Sequence, residues 1–129
     1  MDIRGLAQTI LDNALASDGV YSYWLRKTET TGEDPDEYVV YTLDSDPADA
    51  YADNEPLVRN ANVAVRYYHR DSMLDTHTGR ETIKAREIII ATALEQGGFS
   101  LPNGWFDAGD IDDIGFAATV FEGYYGRVV

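Results

Sequence analysis

The chain has no cysteine among its 129 residues. A disulfide framework and a thiolate metal site are therefore both excluded. Histidine is nearly as scarce, with only His69 and His77. Without cysteine, a zinc site would need both imidazoles plus carboxylates, and the two histidines are eight residues apart across a turn. Nothing in that spacing points to a shared site. Long apolar runs are also missing. MDIRGLAQTILDNALASDG, the first stretch, has no apolar core of signal-peptide length, and no segment is suited to spanning a bilayer. The expectation is a protein made and kept in a cytoplasm-like compartment, with no membrane partner. Catalytic fingerprints are absent too. There is no Gly-x-Ser-x-Gly elbow and no glycine-rich loop leading from a strand into a lysine-bearing helix. Pairs of carboxylates occur everywhere in so acidic a chain, so their presence says nothing about glycoside chemistry.

Positive charge is the other shortage. Ten Lys and Arg face 23 Asp and Glu, for a formal net charge of −13. That argues against ordinary nucleic-acid binding, which needs cations to neutralise phosphates, and against anionic membranes. It suits a surface that repels DNA or stays soluble at high concentration. The charge is unevenly placed. Glu29 to Glu55 holds ten acids and no base, whereas Pro56 to Phe106 holds six bases (Arg59, Arg66, Arg70, Arg80, Lys84, Arg86) against five acids. A second acidic cluster follows: Asp107, Asp110, Asp112 and Asp113. Two faces with different tasks would produce this pattern, and so would two solvated acidic loops.

What is present reads as one folded domain over 1–129, with nine tyrosines and ordinary hydrophobic content. Residues 2–16 form an amphipathic helix, because Ile3, Leu6, Ala7, Ile10, Leu11, Ala14 and Leu15 keep the i, i+3, i+4, i+7 spacing. Strands are expected at 20–27 and 37–44, with a turn at 30–37 set by Gly32 and Pro35. The second strand is apolar on both faces and so belongs inside the sheet. Residues 45–56 carry two prolines and four acids and form a long acidic excursion. The strand 57–70 alternates Ala61, Val63, Val65 and Tyr67 on one side with Asn62, Ala64, Arg66 and Tyr68 on the other. Thr78 and Glu81 fit a capping box that opens a helix ending before Gly97-Gly98. Its buried stripe is Ile83, Ile89, Ile90, Ala93 and Leu94, with Arg80, Lys84, Glu87 and Glu95 on the other side. Asn103-Gly104 sets a short hairpin in 99–106, and 114–129 is a last strand with Gly123 and Gly126 as bulges or bends. The order α-β-β-β-α-β(β) predicts an α+β domain, a mostly antiparallel sheet of four to five strands with two helices on one face.

The aspartate cluster does not fit a calcium loop. Counted from Asp107, positions three, six and twelve are Gly109, Asp112 and Ala118; counted from Asp110, positions five and twelve are Ile114 and Phe121. The expectation is a charged surface turn into the last strand, with no cofactor. Tyr67-Tyr68 and Tyr124-Tyr125 are consecutive on strands, so each pair puts one ring on each face. The outward rings suit a subunit interface, where tyrosine is enriched.

With these residues in view, the chain resembles the tail-completion or tail-terminator proteins of long-tailed bacteriophages. The elements that carry the resemblance are Tyr51-Ala52-Asp53-Asn54 in the long loop, the returning Val63-Ala64-Val65, the helix, Gly98-Phe99, and the acidic lead from Asp110 to Phe116. The similarity runs from about residue 5 to 128, and the N-terminal third matches only in its layout of helix then strand. Such proteins are not enzymes. The resemblance implies a hexameric ring at the head–tail junction of the virion, assembled in the bacterial cytoplasm, which caps the tail tube and joins it to the head connector or stopper. DNA passes through the ring. The resemblance also allows a monomer in dilute solution. On this reading Asp44, Asp46, Asp49, Asp53 and Glu55 face the lumen or an axial partner. Arg59, Arg66, Arg70, Tyr68, Asp110, Asp112 and Asp113 belong to the interface between subunits. An alternative of another class is an acidic protein that mimics DNA and occupies a basic partner.

Overall fold

A computed structural model describes residues 3–24, 35–45, 60–111 and 115–126. Helix α1 (Ile3–Leu15) runs into a 3₁₀ turn at Ala16–Asp18. Ala7, Leu11 and Leu15 are fully buried, so the core-facing stripe is the one that the spacing predicts. Gly19 ends the segment at φ 76°, in the left-handed region that favours glycine, and its N–H donates to Ala16 O at 3.0 Å. Strands β1 (Ser22–Trp24), β2 (Glu37–Ser45) and β3 (Asn60–Arg70) follow. A second 3₁₀ turn, Asp71–Asp75, then leads into helix α2 (His77–Gln96). Three more strands complete the chain: β4 (Phe99–Ser100), β5 (Trp105–Ile111) and β6 (Phe116–Gly126).

The fold is α+β. A six-stranded sheet has the order β1-β2-β3-β6-β4, with β5 also pairing β6. Both helices contribute to one apolar core with the inward faces of β2, β3 and β6, including Val39, Tyr41, Val63, Val65, Tyr67 and Phe121. The opposite sheet face holds a smaller cluster of Tyr38, Val40 and Phe116, against which Tyr23 and Tyr68 pack. β2 therefore buries side chains on both faces and lies inside the sheet, between β1 and β3.

Four expectations need correction. The sheet is mixed, because β1 runs parallel to β2, with Ser22 opposite Val39. The connection from Trp24 to Glu37 has the dozen residues that a parallel crossover needs, and most of the turn expected at 30–37 lies outside the described residues. Residues 99–106 are no hairpin, since β4 and β5 both pair with β6 and not with each other. The start of the acidic cluster is strand: Trp105 to Ile111 pairs with β6, with a register shift between Asp107 and Gly109. Its true hairpin partner is β6 itself. Lastly, Gly123 makes no bulge, because the β3–β6 register runs unbroken through Val63↔Gly123. A Cβ there would lie 2.9 Å from Val63 Cγ1, so the glycine admits close packing of strand on strand.

The cap of α2 also differs. Thr76, not Thr78, is the N-cap, and its side-chain oxygen accepts from Gly79 N at 3.0 Å. Glu81 lies beyond reach of that cap and approaches Lys84 at 3.5 Å instead. The 3₁₀ turn folds back so tightly that a Cβ on Gly79 would come within 2.0 Å of the Met73 carbonyl oxygen. Alanine has the better helix propensity by about 1 kcal/mol, but no side-chain rotation relieves a clash with backbone. Gly79→Ala is therefore expected to lose about 2 kcal/mol net, read by urea denaturation. An equal or higher midpoint would show that the turn yields freely.

Candidate functional site

The inward face of β3 carries polar side chains as it nears its C-terminal end. Val63 and Val65 give way to Tyr67 and then His69, both buried. Register sets Glu37 of β2 opposite His69 on one side, and Thr119 of β6 opposite Tyr67 on the other. Helix α2 crosses above and adds Arg86 and Glu87. Two linked polar groups result.

The first joins four elements. Tyr67 OH donates to Glu37 Oε1 at 2.5 Å, and Arg86 Nε donates to the same oxygen at 3.1 Å. The Arg86 guanidinium also reaches Asp18 Oδ2 at 3.3 Å. Burial, the bond to Glu37 and that carboxylate's charge raise the Tyr67 phenol above its ordinary range. It stays protonated and donating at every physiological pH. This set ties the end of α1 to α2, β2 and β3, and its role is architectural.

The second group lines a pocket of about 400 Å³ between α2, the Asp71–Asp75 turn and the sheet. Its polar walls are His69, Glu87, Asp107, Arg80 and Lys84. Thr119 Oγ1 donates to Glu87 Oε2 at 2.8 Å. Burial raises the Glu87 carboxyl; the nearby Asp107 charge raises it further, while the Thr119 bond and Lys84 oppose. His69 is 4 % exposed, tilts against the Tyr67 ring at 5.1 Å, and has a buried Nδ1 with no hydrogen-bond partner. Burial pulls its pKa below the ordinary value, with Asp107 and then Glu37 opposing, so the ring is neutral at pH 7. A second groove, of about 510 Å³ between α1 and α2, is lined by Ile10, Ile88 and Ile89 and has no ionisable lining residue. Chemistry is thus concentrated at the His69 pocket. Among the described residues no cluster of three His, Asp or Glu is arranged to hold a metal ion, and no helix is long and apolar enough to cross a membrane.

The residues singled out from sequence fall elsewhere. Asp46, Asp49, Asp53, Glu55, Arg59, Asp112 and Asp113 lie outside the described residues. Asp44 sits in β2 opposite Asn62, and Asp110 in β5 opposite Ala117. Arg66 is exposed on the outer sheet face, opposite Val40 and Val120. Arg70 is engaged within its own chain: Nε donates to Asp36 Oδ1 at 2.9 Å, and the guanidinium lies 4.8 Å from the centre of the Phe116 ring. Tyr68 stacks on Tyr38 at 4.9 Å on the outer face, as the alternation rule for consecutive tyrosines requires. The pocket brings together none of these. Glu87, expected on the solvent side of α2, instead faces the sheet, because it is i+4 from Ile83 and i−3 from Ile90 and its carboxylate accepts from Thr119. His69 shares the inward parity of Val65 and Tyr67.

No family model, no curated protein and no solved structure matches this chain.

Proposed function

We propose that the protein is a structural component of a long-tailed phage or prophage, a ring subunit that caps the tail tube and joins it to the head connector. The observation that carries this reading is the β2–β3 pair. Its nine consecutive partners run from Glu37↔His69 to Ser45↔Ala61 without a slip. The connection at the Ser45–Ala61 end, 46–59, contains Asp46, Asp49, Asp53 and Glu55, and its one base is Arg59. A regular strand pair inside the sheet, joined by an acid-rich connection, suits a subunit whose lumen must let DNA slide without gripping it.

Two further features support a ring. The edge formed by β5 leaves Trp105 40 % and Phe106 52 % exposed, apolar surface of the kind that subunit contacts cover. The outer face offers Arg66, a charge with no carboxylate partner among the described residues. A ring contact joins two different patches, and unlike charges on them would set its register.

The direct test is negative-stain imaging and native mass spectrometry of the protein mixed with a phage tail-tube protein from the same source. Rings at tube ends are the expected result. A lasting monomer or dimer that instead captures a basic DNA-binding protein would favour the DNA-mimic alternative. A second test addresses the acids. Asp44, Asp46, Asp49 and Asp53 replaced together by Asn should strengthen retention on duplex DNA about tenfold or more at low salt, because four repulsions are removed. Unchanged affinity would remove the support for a lumen-facing connection. Arg66→Glu should weaken assembly in a salt-dependent manner. Arg70 is the poorer probe, because its reversal would also break the Asp36 contact.

A further inference from the structure

The His69 pocket contains more hydrogen-bonding capacity than the described residues use, and the surplus is of one kind at each end. At the sheet end stand three acceptors. His69 Nδ1 is buried and unpartnered. Glu87 spends one carboxylate oxygen on Thr119. Asp107 makes no ion pair with a described residue. At the helix start stand donors. Arg80 gives one N–H to Leu74 O at 2.8 Å and keeps the rest of its guanidinium. Lys84 has only an exposed contact with Glu81, at 3.5 Å. Arg80 and Glu87 are seven residues apart on one helix, which is about 10 Å along the axis. Between the ends the lining is apolar, from Ile83, Ala117 and Ala118.

We propose that this pocket binds a small zwitterion, with a primary ammonium held at Glu87, Asp107 and His69 and a carboxylate held at Arg80. An ammonium carries three N–H donors, which matches three acceptors. Its hydrogen bonds reach about 2.8 Å, longer than the roughly 2.0 Å bonds of a zinc site, and the described residues here form no metal-holding cluster. The neutral imidazole accepts rather than repels. Arg80 offers the planar fork that pairs with a carboxylate, and the alkyl body covers Ile83 and the two alanines. The inference stands on the pocket alone and does not depend on ring assembly.

Titration with 6-aminohexanoate, hexylamine and hexanoate, followed by the NMR signals of the His69 ring at pH 7, tests it. The zwitterion is expected to shift those signals in a saturable way. The two half-ligands should bind about tenfold or more weakly, since each loses one charge-assisted contact. Glu87→Gln keeps a group that can accept from Thr119 and should weaken the zwitterion about tenfold. Arg80→Gln, at the exposed rim, should do the same without disturbing the fold. Silent His69 signals at about 50 mM zwitterion, well beyond a millimolar affinity, would overturn the proposal. Equal binding of all three probes, or no effect of either variant, would overturn the two-ended mode.

Discussion

Arg86→Ala is expected to cost about 3 kcal/mol, the range measured when one partner of a mostly buried ion pair is removed. Arg86 and Glu37 side chains are only 16 % and 15 % exposed, so the carboxylate left behind would be charged and poorly hydrated. Two contacts go at once, because the same guanidinium holds Asp18. The Asp18 side chain is 40 % exposed and adds little, since water replaces its lost partner. Most of the loss thus comes from stranding Glu37. Urea denaturation of both forms measures it, and Tyr67→Phe is the control. That variant removes one donor to Glu37 and keeps the charge paired, and it should lose only about 1 kcal/mol. Equal losses in the two would mean that the phenol and not the guanidinium neutralises Glu37.

Phe121→Ala should be more damaging, by about 4 kcal/mol, with a fall of about 12 °C in the thermal midpoint. The ring is fully buried, lies opposite Val65 of β3 and Trp105 of β5, and packs at 5.6 Å from the Trp105 ring. Removing it leaves a cavity that a continuous strand cannot collapse to fill. Tryptophan emission gives a second readout, since Trp105 loses the ring beneath it. A loss under about 1 kcal/mol would show that the site relaxes, contrary to its register on both sides.

Much of this architecture was legible in the chain. The 3.6 period located α1 and the stripe of α2, because nothing competes with burial on those faces: Leu11, Leu15, Ile90 and Leu94 are all fully buried. Alternation located β3 and gave the parity of Tyr67 and Tyr68. What escaped was direction and partnership. A parallel neighbour for β1 leaves no local mark, since it depends on a crossover and not on a turn. DAGDI read as a turn because aspartate and glycine disfavour strands, yet pairing with β6 overrides that preference. The cap was missed because two threonines stand at the start of α2, Thr76 just before it and Thr78 inside its first turn. The choice falls to the 3₁₀ turn, which packs Met73 against Gly79. The pocket was half legible. His69 shares the inward parity of Val65 and Tyr67, but Glu87 reads as a solvent-side residue of α2, because charged residues are by habit assigned to water. Only the β3–β6 register shows that Thr119 waits opposite, within reach of Glu87.

The position of β6 has a kinetic consequence. It is the one strand that touches β3, β4 and β5. Until residues 116–126 leave the ribosome, β3 has a bare edge and β4 and β5 have nothing to zip onto. The sheet therefore closes late and over long sequence separations, from Asn60↔Gly126 to Arg70↔Phe116, which slows folding. In that interval the nascent chain exposes Val63, Val65 and Tyr67 beside an open strand. Its yield in the cell is then governed by chaperone capture as much as by the stability of the finished domain.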